Sequence, residues 1–100
     1  MSKRAVRISA KDNVATALAD LAVGDTVVVV ERDGSSLTLV VAQPVPFAHK
    51  LALAPIGRGE DVIKYGASIG AATAAIGKGE YVHTHNLASQ RAKPGGSQND

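Results

Sequence analysis

The chain has no cysteine, no tryptophan and only three aromatic residues, and no apolar run exceeds the four residues of Val27 to Val30. Without cysteine, disulfides and thiolate-held iron–sulfur clusters on this chain are excluded. A run that short cannot span a bilayer, and the N-terminus lacks the apolar centre of a signal peptide. The expectation is therefore a soluble, cytoplasmic protein with no membrane partner. Nucleic-acid binding calls for a basic stripe interleaved with stacking aromatics. Here Lys3, Arg4, Arg7, Arg91 and Lys93 are scattered and the net charge is only +2.

What is present is 45% hydrophobic residues in a chain of 100, nearly all of them Ala, Val, Leu and Ile. That length makes one domain near the lower end of comfortable size. A core of small aliphatic pieces suits tightly curved sheets and leaves little room for a deep pocket. Such a domain is expected to complete an active site with another chain. A homo-oligomer would also bury apolar surface, although no stretch dictates one.

The run Ala5-Val6-Arg7-Ile8 alternates and reads as a first strand. From Asn13 to Leu21 a short amphipathic helix is predicted: Asp12 or Asn13 suits an N-cap, and Val14, Leu18 and Leu21 fall at helical spacing. Gly24-Asp25 turns the chain into the β-branched run Thr26 to Arg32, a buried strand. Asp33-Gly34 is a hairpin signal, with Leu37 to Ala42 as the returning strand. Pro44-Val45-Pro46 interrupts ladder pairing, and Ala48 to Leu53 is strand-like again.

The second half repeats itself. Ile56-Gly57-Arg58-Gly59-Glu60-Asp61-Val62 returns as Ile76-Gly77-Lys78-Gly79-Glu80-Tyr81-Val82, with a weaker echo at Leu21-Ala22-Val23-Gly24-Asp25-Thr26-Val27. Each unit is an apolar anchor, a glycine turn, an acid and a valine opening a strand. Short strands meeting at tight corners follow, the glycines supplying backbone angles that other residues avoid. The resulting class is mainly β, with residues 1–87 as the domain and residues 88–100 as a flexible polar tail.

The repeat leads into Val82-His83-Thr84-His85-Asn86. On a strand, His83 and His85 would project from one face. Histidine titrates near neutrality and ligates metals, so the pair suits proton transfer or metal binding. Two imidazoles do not fill a catalytic metal site, which takes three or more protein ligands. His49, the third histidine, is the candidate to join them. On spacing alone, a surface or structural pair is the competing reading.

His49-Lys50, Ile63-Lys64-Tyr65-Gly66, Ile69-Gly70, Thr73, Ile76, Gly79-Glu80 and Val82-His83-Thr84-His85-Asn86 together resemble the SAF-type N-terminal domain of the altronate/galactarate dehydratase family. Asp12-Asn13-Val14-Ala15 is similar to the opening stretch of that domain. The small subunit of (2R)-sulfolactate sulfo-lyase is similar to the same module. The resemblance implies a β-clip (SAF-like) fold and β-elimination from a sugar acid or related 2-hydroxy acid. It further implies a divalent metal, Fe2+ being expected, with His83 and His85 as ligands. A large catalytic lyase subunit would be needed for activity. The catalytic candidates are His83, His85 and His49. Lys64 is a candidate carboxylate anchor or a solvated lysine. Tyr65 would donate to substrate or simply pack, and Asn86 would bind substrate or cap the strand end. The leaving group is water in a dehydratase and sulfite in a sulfo-lyase. A non-catalytic module that binds a sugar acid is the alternative of another class.

Overall fold

The computed structural model describes residues 2–89, and within them every regular element is a strand. They are β1 (Lys3–Val6), β2 (Val14–Ala17), β3 (Thr26–Val30), β4 (Ser36–Val40), β5 (Lys50–Ala52), β6 (Asp61–Lys64), β7 (Ala67–Ala72), β8 (Tyr81–Val82) and β9 (Leu87–Ala88). A six-stranded sheet runs in the order β4-β3-β1-β2-β5-β8, and a three-stranded sheet runs β6-β7-β9. The β1–β3 pairing is parallel; the other strand pairings are antiparallel. Residues 90–100 of the expected tail lie outside the described residues.

The predicted helix from Asn13 to Leu21 is not formed; Val14–Ala17 is β2, paired with β1 on one side and β5 on the other. Burial on both faces explains the difference. Ala15 and Ala17 face a core with Leu21, Val27, Val29, Leu39, Val41, Val45 and Leu51. Val14 faces a second core with Ala52, Ile56, Val62, Ala72, Ile76 and Val82. A strand buried on both sides shows no alternation, and a short apolar run of that kind cannot be told from a helix by its period. Leu18, which helical spacing would bury, is exposed.

Four corners, not three, shape the molecule. They are Leu21–Asp25, Val45–His49, Ile56–Glu60 and Ile76–Glu80, and they cross in two pairs through the bridges Leu21↔Val45 and Ile56↔Ile76. The fourth residue of each turns left-handed: Gly24 at φ 88, Ala48 at 71, Gly59 at 87 and Gly79 at 83. At each corner that fourth N–H and the fifth carbonyl grip the end of a strand or the residue following it. Gly24 N–H donates to Val41 and Val41 N–H to Asp25, and the same reciprocal pair joins Ala48 and His49 to Ala17. Gly59 and Glu60 grip Ala72, and Gly79 and Glu80 grip Ala52, in the same way. The Val45–His49 corner carries neither glycine nor acid, so residue patterning does not reveal it.

The motif Lys64-Tyr65-Gly66 is a two-residue hairpin turn between β6 and β7, with Tyr65 at φ 57 and Gly66 at φ 76. Positive φ at both central residues marks the turn type that matches strand twist. The buried Asp12 carboxylate holds this turn. It accepts from Ser9 N–H at 3.1 Å, Tyr65 N–H at 3.1 Å and Gly66 N–H at 2.8 Å. The Asn13 side chain continues the clamp, accepting from Ile63 N–H and donating to the Asp61 carbonyl. The expected N-cap is thus a tether between the start of the chain and the β6–β7 hairpin.

Two outcomes test this frame in urea denaturation. A Cβ at Gly79 would run into the Val40 carbonyl oxygen, whereas Gly34, also left-handed, has open space around it. Gly34→Ala should cost about 1–2 kcal/mol, the usual penalty of a left-handed alanine, and Gly79→Ala clearly more. Asp12→Ala should cost about 3 kcal/mol, because it strips a charged acceptor from three backbone donors.

Candidate functional site

The corner Val45–His49 is where the repeat gives way to chemistry. In the other three corners the fifth residue is an acid whose carboxylate accepts from the N–H of the second: Asp25 from Ala22, Glu60 from Gly57, and Glu80 from Gly77, at 2.6–2.8 Å. In this corner the second residue is Pro46, which has no N–H to satisfy. The fifth position is thereby released from capping, and it holds His49. Its neighbour Ala48 takes a left-handed angle without being glycine, the kind of backbone cost that gathers at functional sites.

The His49 ring meets residues from the far end of the described chain. Its Nδ1 lies 2.6 Å from the Tyr81 hydroxyl. Its ring centroid is 4.7 Å from that of His83 and 5.6 Å from that of Tyr81. Tyr81 and His83 stack nearly parallel, 8° apart at 5.6 Å, and His85 packs on Tyr81 at 5.3 Å. Three imidazoles therefore surround one phenol. The pairing of β5 with β8, Leu51 opposite Tyr81, brings the two segments side by side.

His83 and His85 do not share a strand face. β8 ends at Val82, and residues 83–86 form a turn closed by Asn86 N–H donating to the His83 carbonyl at 3.0 Å. The buried Asn86 amide accepts from His83 N–H and donates to the Tyr81 carbonyl. Asn86 shapes the turn that aims the histidines, the capping role weighed from the sequence. Tyr65 is exposed at the tip of its hairpin, with the Lys64 ammonium 5.1 Å from its ring centroid.

Sequence reasoning missed Tyr81 and Lys50. The signal for Tyr81 was its place at the end of the repeat, where a large aromatic follows Glu80 in a chain that has few. Lys50 opens β5 beside His49, its ammonium half-buried. Burial lowers its proton affinity, and the charge of Lys64 lowers it further. His83 is likewise held below the usual histidine range, by desolvation first and then by His49, Lys50 and His85. The ion pairs of the described residues, Lys3–Asp25 and Arg7–Glu31, both lie elsewhere. His83 thus gives up a proton more readily than an ordinary histidine.

Among the described residues the metal expected from the resemblance finds no complete seat. Among the described residues no three His, Cys, Asp or Glu side chains converge on one point. A catalytic metal takes three or more such ligands, so its coordination would have to be completed from elsewhere. The surface beside the cluster is an open groove of about 440 Å3 lined by Asp20, Leu21, Pro44, Val45, Pro46 and Tyr81. A roomier hollow of about 540 Å3, bordered by Arg7, Glu31 and Arg32, shares no residue with the histidines.

Comparison with known proteins identifies the family. Residues 3–90 match the altronate/galactarate dehydratase SAF domain. The chain belongs to that family. Altronate dehydratase of Escherichia coli (strain K12) is 51% identical over 81 residues, which are 81% of this chain and 15% of that protein. The (2R)-sulfolactate sulfo-lyase subunit alpha of Paracoccus pantotrophus is 38% identical over 63 residues, 63% of this chain and 94% of that one. The corresponding subunit alpha of Chromohalobacter salexigens is 39% identical over 56 residues, 56% of this chain and 60% of that one. This SAF domain thus spans a small fraction of an altronate dehydratase but most of one sulfo-lyase subunit alpha.

The depressed proton affinity of His83 has a consequence for stability. The unfolded chain takes up a proton at His83 near the ordinary value of about 6.5, and the folded chain only at lower pH. Between the two the unfolded state binds more protons, so stability falls as pH falls through that window. Urea midpoints measured across it should decline in the wild type and decline less in His83→Gln.

Proposed function

We propose that this SAF domain is the small subunit of a lyase that eliminates water from a sugar acid or related 2-hydroxy acid, acting with a large catalytic subunit. The observation that carries the reading is the meeting of His49, His83 and His85 around Tyr81, with Lys50 next to His49. The crossed corners are read as the β-clip that the resemblance implies.

β-Elimination needs a base for the proton beside the carboxylate, charge stabilisation for the resulting enolate, and an acid for the leaving group. His83, whose hold on a proton is weakened first by desolvation and then by its neighbours, is suited to be the base. Lys50 and Lys64 offer ammonium groups for the substrate carboxylate and the enolate. His85, exposed at the rim, is placed to contact substrate or the partner subunit. The divalent metal expected with this chemistry, Fe2+ by resemblance, would take ligands beyond this chain and would polarise the leaving hydroxyl. Tyr65 and Asn86 act, in this reading, through the turns they shape.

A second reading keeps the base and changes the leaving group to sulfite. It is supported by likeness, since 63 residues of the chain are 38% identical to the Paracoccus pantotrophus sulfo-lyase subunit alpha and cover 94% of that protein.

The test is co-purification of the tagged chain from its native extract, followed by assay on altronate, galactarate and sulfolactate. A larger protein in fixed ratio, with turnover only when both chains are present, is the expected result. In that assembly His83→Ala should lower kcat by about 10²–10⁴-fold, the usual contribution of a general base, with an unchanged circular dichroism spectrum. Wild-type turnover by His83→Ala would sink the assignment.

A further inference from the structure

Tyr81 lies at the centre of the cluster, and its hydroxyl makes a 2.6 Å contact with His49 Nδ1. Either group is able to donate, depending on which ring nitrogen of His49 carries hydrogen. The chemistry of the two groups decides the direction. A phenol O–H is a stronger donor than the N–H of neutral imidazole, and a bare imidazole nitrogen is the stronger acceptor. With His49 neutral, a Tyr81 O–H that donates to Nδ1 places the ring hydrogen on Nε2.

The rest of the geometry holds the phenol in that role. Tyr81 N–H donates to the Gln43 side chain at 3.0 Å, and the Tyr81 carbonyl accepts from the Asn86 amide at 2.8 Å. The ring is packed by His83 on its face and by His85. His49 in turn is fixed by the Ala17 grip on its carbonyl and by the proline that released its side chain from capping. Both partners are thus held from the backbone outward, and neither spends its side chain on another hydrogen bond among those described.

We propose that Tyr81 is a positioning residue that fixes His49 as the Nε2–H tautomer, making His49 the proton donor to the leaving group and leaving proton abstraction to His83. This rests on the elimination reading above and divides its labour between two histidines. In the step, His83 takes the proton from the carbon beside the carboxylate, and that C–H electron pair becomes the new C=C bond. The C–O bond breaks with its electrons on oxygen, and His49 Nε2–H protonates that oxygen to release water. The Tyr81 proton follows to Nδ1, so the imidazole stays neutral and the phenol becomes phenolate. The proton gained by His83, whose ring is 4.7 Å from that of His49, returns to the Tyr81–His49 pair and closes the cycle.

Two measurements test the assignment. Nitrogen-15 correlation spectra of the histidine-labelled full chain read the tautomer directly. The expected pattern for His49 is a protonated Nε2 and a bare, hydrogen-bonded Nδ1, with the Nδ1 resonance moving in Tyr81→Phe. A protonated Nδ1 in the wild type overturns the proposal, whatever the enzyme assay gives. In the assembled lyase, Tyr81→Phe keeps the ring stack and removes only the hydroxyl. It should lower kcat at least tenfold with KM within twofold, whereas a merely structural tyrosine would leave both near wild type. Wild-type kcat in Tyr81→Phe, alongside an inactive His83→Ala, overturns the role of Tyr81 and leaves the elimination reading standing. Absence of turnover by the wild-type assembly on every acid counts against that reading instead, and the spectra still decide the tautomer.

Discussion

Everything in this molecule hangs on one backbone device: a left-handed residue whose N–H, with the carbonyl of the next residue, grips the end of a distant strand or the residue beyond it. It occurs at Gly24, Ala48, Gly59 and Gly79. Strands of two to six residues cannot hold themselves together in water. The grips close them into two small cores that share β2 and β5, with Ala15 and Leu51 in one and Val14 and Ala52 in the other. Three of the four corners cap themselves with a carboxylate, and the acid at the fifth position is used up in doing so.

The exception at Pro46 and His49 converts this architecture into a site. A proline removes the donor, a histidine takes the vacated position, and an alanine accepts the angle that glycine takes elsewhere. The same repeat that makes the corner stable therefore provides the position from which an imidazole reaches Tyr81 and His83. In the fourth corner the acid is retained, and the candidate residues follow it instead, on β8 and the turn closed by Asn86.

Much of this was legible in the residues. The hairpin at Asp33-Gly34, the buried β3 strand and the repeat at Ile56 and Ile76 could be read because glycine, acid and β-branched runs mark them. The helix expected from Asn13 to Leu21 failed because β2 is sandwiched between cores and carries no alternation. The Val45–His49 corner was hidden because it lacks the glycine and acid that mark its sisters. At the site, His83, His85 and His49 were singled out by type and order, and the fold brings all three together. Their geometry was not legible: the pair sits in a turn rather than on a strand face. Tyr81 looked like an ordinary repeat residue until β5 and β8 were paired.

The pairing of the corners also bears on how the chain assembles. The first crossed pair joins Leu21 to Val45 and the second joins Ile56 to Ile76, so each half can be closed by contacts within itself. His49 belongs to the first half, while Tyr81 and His83 follow the second. No partly folded chain with only one half formed possesses the histidine cluster. The cluster is thereby confined to molecules in which β5 has found β8, so its ring contacts report that folding is complete.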